Sequence, residues 1–410
     1  MKTKLIVLVP FLVLFLASTV FADCRYDNEN KEAIMKKALN NLEKIENASY
    51  CTFGQFWLPG DTIASDYHQL IREYNNPQDS TIGASFVWWN AEDTTKVEGS
   101  YDGTYHVSMW HEHRGAIIDD FKSRNLPFRT ISPPFFNYTK SILRYALTTS
   151  DSISIEWEDT AEAYHFKMTI HEDKQVEFHG KACYMPENPY INGDPTSIYE
   201  LWIDKKTYLP NKVRREMSTN TSETTCLNPE LNKLPTSSIR ATDYIPEGYE
   251  VRKYGEKRKD KSTSTLLGKK APEWLLNDMN GHPVSLADLK SKVLLINFTG
   301  IGCGPCRVAI PFLNGLKDLF SIEDCSVVSV ESWGNKLHSL RVYADKNQIN
   351  YQFLEGNDTI IKDYLDGNRG VPVFFILDET RIIKKIVNGY NRETTGQELI
   401  QAIKEALRSN

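Results

Sequence analysis

One stretch limits the fold of this chain more than any other. Val293 to Phe298 is apolar at every position except Asn297, and Cys303-Gly304-Pro305-Cys306 follows after the short stretch Thr299-Gly300-Ile301-Gly302. A strand without polar alternation has both faces buried, which places it inside a sheet covered by helices on either side. The pattern downstream alternates accordingly: a helix after Cys303, strand 326–330, helix 335–347, strand 351–354, helix 358–365, strand 373–377, hairpin strand 381–388 and a last helix 394–408. Upstream, Ala271 to Leu276 and Pro283 to Leu286 flank an Asn280-Gly281 turn, and Ser285 with Asp288 three residues on marks a helix start. The C-terminal third is therefore an α/β unit with a mixed sheet and helices on both faces.

Two cysteines at the entrance of a helix carry a definite chemistry. The free N–H groups and the positive end of the helix dipole stabilise a thiolate there, so Cys303 is the expected nucleophile. Cys306, one turn on, is the expected resolving thiol that closes the redox-active disulfide. An inert bridge or half a zinc site is the competing reading, but zinc asks for four ligands and there is no second C-x-x-C. His111-Glu112-His113 would put two imidazoles on one strand face, with His106 or His171 as a third ligand, yet no recognisable spacing anchors a site. No metal and no cofactor is expected.

The same region resembles the TlpA/ResA branch of the thioredoxin-like family. The match runs through L-L-G-K-K-A-P-E-W at 266–274, D-x-x-G at 278–281, V-S-L-A-D-L-K at 284–290, N-F at 297–298, C-G-P-C-R at 303–307, Pro311 and G-V-P at 370–372. The resemblance implies a thiol:disulfide oxidoreductase, most simply a reductase. Its clients would be disulfide-containing proteins, and an electron-donating thiol protein of the membrane or periplasm would recharge it. It further implies that Pro372 is a cis-proline facing the dithiol, that Val371 offers backbone contacts to a client, and that Gly304 and Pro305 complete the substrate-binding positions. Three positions depart from the family: Gly302 stands where Trp is usual, Asn297 where thioredoxin proper has an acid, and Ala309 where the ResA type has Glu. With both acids missing, Glu331 or a water is left to take the proton of the resolving thiol. Peroxiredoxins share the fold, but they place Thr three residues before a lone Cys and Pro four before that, where this chain has Gly300 and Ile296.

At the N-terminus, Lys2 and Lys4 precede a 13-residue apolar run from Leu5 to Ala17, with Val20 and Ala22 at small-residue spacing. That is the pattern of a secretory signal peptide over residues 1–22, and the run is short of the ~20 residues a membrane span needs. Cys24 is separated from the small residue by Asp23, which disfavours a lipoprotein anchor. The expected location is the periplasm, where disulfides persist. Cys24, Cys51, Cys183 and Cys226 allow three full pairings. A helix of about 25 Å between the first two makes that pair awkward, and Cys183–Cys226 is the favoured structural bridge.

Residues 23–235 read as a β-rich α+β domain. Ile34, Ala38, Leu42 and Ile45 stripe an amphipathic helix, and Pro133-Pro134 precedes a second near 137–149. Around them lie segments rich in Tyr, Trp, Thr, Val and Ile near 50–58, 84–90, 95–101, 104–110, 152–157, 163–170, 175–184, 198–204 and 211–218. This order, with a closing hairpin W-I-D-x-x-T-x-L-P at 202–210, resembles the half-barrel of LolA-type lipoprotein carriers. That resemblance implies an apolar ligand, and it sets up a second functional reading: a periplasmic binding or carrier protein for a lipid or polypeptide, with the redox domain secondary. Residues 236–264, with Pro246, Gly248, Gly255 and a basic run, read as an exposed linker to a thioredoxin-like domain at 265–410. Lys+Arg 48 against Asp+Glu 54 leaves a net charge of −6, so no nucleic-acid partner is expected.

Overall fold

The structure, a computed structural model, describes residues 30–58, 61, 63–122, 131–185, 194–235, 238–256 and 265–408. The proposed signal peptide, Cys24 and the end of the proposed linker at 257–264 lie outside the described residues. No helix among the described residues is long and apolar enough to cross a membrane.

The first half is built on one large sheet. After helix α1 (30–43) come β1 (Asn47–Trp57), β2 (Ser65–Asn75), β3 (Ala84–Asn90), β4 (Asp93–Tyr101), β5 (His106–Trp110) and β6 (Gly115–Asp119), an antiparallel meander. Helix α2 (Phe135–Thr148) is followed by β7 (Ile153–Asp159) and β8 (Ala163–Ile170), then by a small separate hairpin of β9 (Val176–Phe178) and β10 (Ala182–Tyr184). Three further strands, β11 (Ser197–Asp204), β12 (Pro210–Glu216) and β13 (Thr221–Leu231), bring the chain back beside β1. The β11–β12 pair is the hairpin expected from the W-I-D motif.

With β14 (Glu250–Lys253) the sheet has twelve strands in the order β14-β6-β5-β4-β3-β2-β1-β13-β12-β11-β8-β7. Its two edge strands are not joined, so it does not close into a barrel. The face read as an apolar cradle is filled. Met35, Ala38 and Leu42 of α1 and Phe135, Phe136, Ile142 and Leu143 of α2 pack in one cluster with Tyr50, Phe166, Tyr199 and Leu201. Burial of large apolar side chains contributes ~1.5–3 kcal/mol each, so these helices are structural parts of the sheet.

The stretch read as a free linker is partly tied down. Ala241 is fully buried, accepts from Ser100 Oγ at 2.8 Å and donates to Asp102 at 2.9 Å, and β14 pairs in parallel with β6. Tyr244, Ile245 and Tyr249 pack with Val107 and Met109, which supplies the apolar contact that the charged composition hid.

The expected Cys183–Cys226 bridge is not formed. Cys183 lies on β10 of the separate hairpin, while Cys226 lies on β13 opposite Thr52 of β1, within the main core. The two strands belong to different sheets, and burial pushes the Cys226 thiol well up, keeping it neutral.

The second sheet has seven strands in the order β16-β15-β19-β18-β17-β20-β21: β15 (Leu275–Asp278), β16 (Pro283–Ser285), β17 (Val293–Thr299), β18 (Cys325–Glu331), β19 (Gln352–Glu355), β20 (Val373–Leu377) and β21 (Ile383–Asn388). Every residue of β17 is buried, as its apolar run requires. It pairs in parallel with β18 and antiparallel with β20, so the sheet is mixed. Helices α3 (Gly304–Leu319), α4 (Leu337–Lys346), α5 (Asp358–Leu365) and α6 (Thr395–Arg408) flank it. Apolar clusters lie on both faces, one with Ile360, Ile361 and Tyr364 of α5, the other with Leu313 and Leu316 of α3 and Leu399 and Ile403 of α6. The Ser285–Asp288 signal is a reciprocal cap around a short 3-10 turn.

Candidate active site

Strand β17 ends at Thr299, and Gly300-Ile301-Gly302 carries the chain from the sheet edge to the start of α3. Cys303 is the N-cap residue of that helix. Its Sγ accepts the N–H of Cys306 at 3.2 Å, the bond by which a side chain satisfies one of the orphan donors of a first turn. A sulfur held there by a backbone donor and the helix dipole is favoured as an anion. Pro305 sits in the first turn, where its missing N–H costs nothing.

Cys303 and Cys306 are joined by a disulfide with an S–S length of 2.06 Å. They differ in access: Cys303 keeps 6% of its surface and Cys306 1%. The Val371–Pro372 peptide is cis, and the Val371 carbonyl oxygen lies 3.8 Å from Cys303 Sγ. The structure thus brings Cys303, Gly304, Pro305, Cys306, Val371 and Pro372 to one end of the seven-stranded sheet, with Cys183 and Cys226 remote from it in the other half of the chain.

Of the positions considered for the proton of the resolving thiol, Ala309 and Asn297 carry no acid and Glu331 is already hydrogen-bonded. Ala309 is fully buried in the apolar cluster that holds Leu313, Leu295 and Phe374. Asn297 is buried, with Nδ2 donating to Ser329 Oγ at 2.8 Å and Oδ1 lacking a partner among the described residues. Glu331, at the end of β18, is wholly buried and its carboxylate is taken up by backbone and side-chain donors. Trp333, Gly334 and Asn335 N–H groups reach Oε2 at 3.0, 2.8 and 2.9 Å, and Asn335 Nδ2 and the Ile301 N–H reach Oε1 at 2.8 and 3.3 Å. Five donors exhaust the roughly four lone-pair positions of a carboxylate. Glu331 is therefore a positioning residue that ties the loop before Cys303 to the loop after β18.

That second loop supplies a site residue which sequence reasoning missed. Trp333 is 44% exposed and lies over Gly300, where any Cβ would stand 2.5 Å from the indole ring. Its Nε1–H donates to the Arg369 carbonyl at 2.9 Å, two residues from the Val371 carbonyl beside Cys303. The one mark in the sequence is Gly300 itself, whose φ is not positive and whose missing Cβ admits the indole ring. The His111-Glu112-His113 stretch forms a 3-10 turn after β5, not a strand, and His111 spends its ring nitrogens on Tyr249 Oη at 2.7 Å and the Val97 carbonyl at 2.9 Å.

Residues 267–386 match the AhpC/TSA family. The chain is 25% identical over 143 residues to the thiol-disulfide oxidoreductase ResA of Geobacillus kaustophilus, covering 35% of this chain and 80% of that protein. It is 26% identical over 137 residues to ResA of Bacillus subtilis, covering 33% and 75%. Among solved structures, a thiol:disulfide interchange protein from Bacteroides sp. aligns at 22% identity and a TM-score of 0.31, over 36% of this chain and 93% of that one. A thioredoxin family protein from Chlorobium tepidum aligns at 21% identity and a TM-score of 0.30, over 36% and 99%. The C-terminal region is a thioredoxin-like domain of the thiol:disulfide oxidoreductase kind.

Proposed function

We propose that this chain, whose C-terminal region is a thioredoxin-like thiol:disulfide oxidoreductase, is an exported reductase of disulfides in protein clients, working through Cys303 and Cys306. The observation that carries the reading is the cap geometry: Cys303 Sγ accepts the Cys306 N–H at the head of α3 and faces the Val371 carbonyl. In the reduced enzyme the Cys303 thiolate attacks one sulfur of a client disulfide. A mixed disulfide forms and the other client sulfur leaves as a thiolate that takes up a proton. Cys306 then loses its proton and attacks Cys303 Sγ, the bond to the client breaks, and the client leaves with two thiols while the enzyme holds the Cys303–Cys306 bridge. Two electrons have passed to the client, and an external thiol protein must return them.

Export is supported by Lys2 and Lys4 ahead of the apolar run and by the small residues before Asp23. A periplasmic client of unnamed sequence follows from that location. A boundary before the redox domain at 265–410 is supported by two separate sheets, each with its own apolar clusters, and β14 extends the first unit beyond residue 235. The carrier reading has no comparable support, because α1 and α2 fill the face an apolar ligand would need.

The test is capture of the intermediate. Cys306→Ser in the full chain is expected to accumulate a client joined through Cys303, released by dithiothreitol, whereas Cys303→Ser captures nothing. Capture through Cys306 would exchange the two roles. Undiminished biological activity of the chain with both cysteines changed to Ser would move the function to the carrier reading.

A further inference from the structure

The dithiol site is touched by a residue from the other half of the chain. Leu58, directly after β1, packs on the cluster of Ile301, Leu340, Ala344 and Phe353. Asp61 holds it there: one carboxylate oxygen accepts the Leu58 N–H at 2.9 Å and the other accepts the hydroxyl of Ser339 in α4. A single side chain thereby fastens the large sheet to the redox region at the point where Leu58 stands.

That point adjoins the nucleophile. Gly302, the residue before Cys303, has φ +88°, a conformation that favours glycine, and a Cβ built on it would lie 3.9 Å from Leu58 Cδ2. The chain itself thus offers no side chain immediately ahead of Cys303, and Leu58 is the group that borders the gap. Leu58 also lines a half-open cavity of about 410 Å³ with Trp57, Asp61, Arg214, Met217 and Glu223. Its wall mixes apolar surface with both signs of charge. An extended polypeptide, which presents backbone amides and varied side chains together, suits such a wall better than a lipid does.

We propose that Leu58 is a specificity-determining lip of the dithiol site, lent by the large sheet, and that the cavity it lines receives the client chain next to the disulfide under attack. The proposal rests on the reductase reading above. It gives the large sheet a direct part in choosing clients, and it makes protein disulfides the substrates most sensitive to Leu58.

The full-length protein carrying Leu58→Glu or the conservative Leu58→Met is compared with wild type for reduction of insulin, reduction of oxidised glutathione, and the pH profile of Cys303 alkylation in the reduced state. Cooperative melting of each variant serves as the folding check. Leu58→Glu is expected to slow insulin reduction roughly tenfold while glutathione changes less than about twofold. It is also expected to raise the alkylation midpoint by about half a unit to one unit, because a second negative charge disfavours the thiolate. Leu58→Met is expected to restore both. Any other pattern overturns the proposal, including equal slowing of the two substrates or an unmoved pH profile. A wild-type chain inert toward both disulfides sinks the reductase reading; a wild-type chain active on both and matched by Leu58→Glu sinks the lip alone.

Discussion

The two sheets solve the same burial problem by different means, and the contrast explains where chemistry could be placed. The seven-stranded sheet hides β17 on both faces and collects its loops at one end, so a backbone donor of α3 and the cis-proline loop meet at one sulfur, with Trp333 packed over Gly300 and bonded to the Arg369 carbonyl of that same loop. The twelve-stranded sheet is an open array, antiparallel except for the β14–β6 pair, with helices packed on it, and its buried polar groups serve the fold. Glu73 on β2 shows this: its carboxylate accepts the N–H groups of Phe136 and Asn137 at the head of α2, at 3.1 and 2.7 Å, and the Tyr50 hydroxyl at 2.7 Å. One sheet aims a helix N-terminus at the Cys303 sulfur. The other satisfies a helix N-terminus with a carboxylate and closes it off.

The largest consequence is separability. Residues 265–410 alone are expected to keep most of the small-disulfide exchange of the full chain, since both sulfurs, Val371, Trp333 and Glu331 lie within them. Residues 23–256 alone are expected to show none. Exchange kinetics with a chromogenic disulfide on the two fragments decide it, and a C-terminal fragment that folds but does not react would mean that the large sheet supplies a catalytic part.

The contrast also governs what could be read from sequence. In the redox half nearly every element lies within a residue or two of its expected place, because buried parallel strands are continuous apolar runs and each βα unit is local. β2, by contrast, starts Ser65-Asp66-Tyr67-His68, exposed and without alternation, and only Ile71, Glu73 and Tyr74 are buried. Nothing local marks it as a strand; pairing with β1 and β3 makes it one. β14 hid in a charged stretch for the same reason, and the Cys183–Cys226 pairing failed because spacing carries no information about which sheet a strand joins. At the site, the cysteines and Pro372 were legible from their local pattern. Trp333, Glu331 as a clamp, and Leu58 come from other elements, with Gly300 and Gly302 as the only marks they leave beside the motif.

The second consequence is opposite pH behaviour. Asp378 at the β20–β21 turn is buried, which alone would raise its pKa, but the Ile382 N–H at 2.9 Å, the Thr380 hydroxyl at 2.8 Å and Lys384 at 3.0 Å bring it below the ordinary carboxylate range. A depressed folded pKa means that the unfolded chain binds more protons, so this stability is present at neutral pH and fades as pH falls through the folded value. Glu73 has the reverse sign: burial raises its pKa against the pull of Tyr50 and the α2 amides, so its contribution is full in acid and lost as pH rises through the folded value. Asp378→Asn is therefore expected to cost about 1–3 kcal/mol at neutral pH and less in acid. Denaturant unfolding of the C-terminal fragment at the two pH values checks it. An equal cost at both would show that the carboxylate is not held down in the folded state.

The smallest expected effect concerns the remaining cysteine of the redox half, and it tests whether proximity to the dithiol sheet is enough to make a thiol reactive. Cys325 opens β18 beside Val293 and packs among Leu295, Leu313 and Leu316, far down the sheet from the α3 entrance. Burial, with the Asp324 carboxylate adding to it, pushes its thiol up to about 12. At neutral pH it is almost wholly protonated, and a protonated, covered thiol is a poor nucleophile. In the fully reduced protein, iodoacetamide near neutral pH is thus expected to label Cys303 first and to leave Cys325 unlabelled until the fold opens, as read by peptide mass. Cys325→Ala is expected to cost no more than about 1 kcal/mol, the loss of one small buried group, and to leave exchange rates unchanged. Early labelling of Cys325, or slower exchange without it, would make it a third member of the redox machinery and end the distinction between thiols placed by a helix N-terminus and thiols merely enclosed by the same sheet.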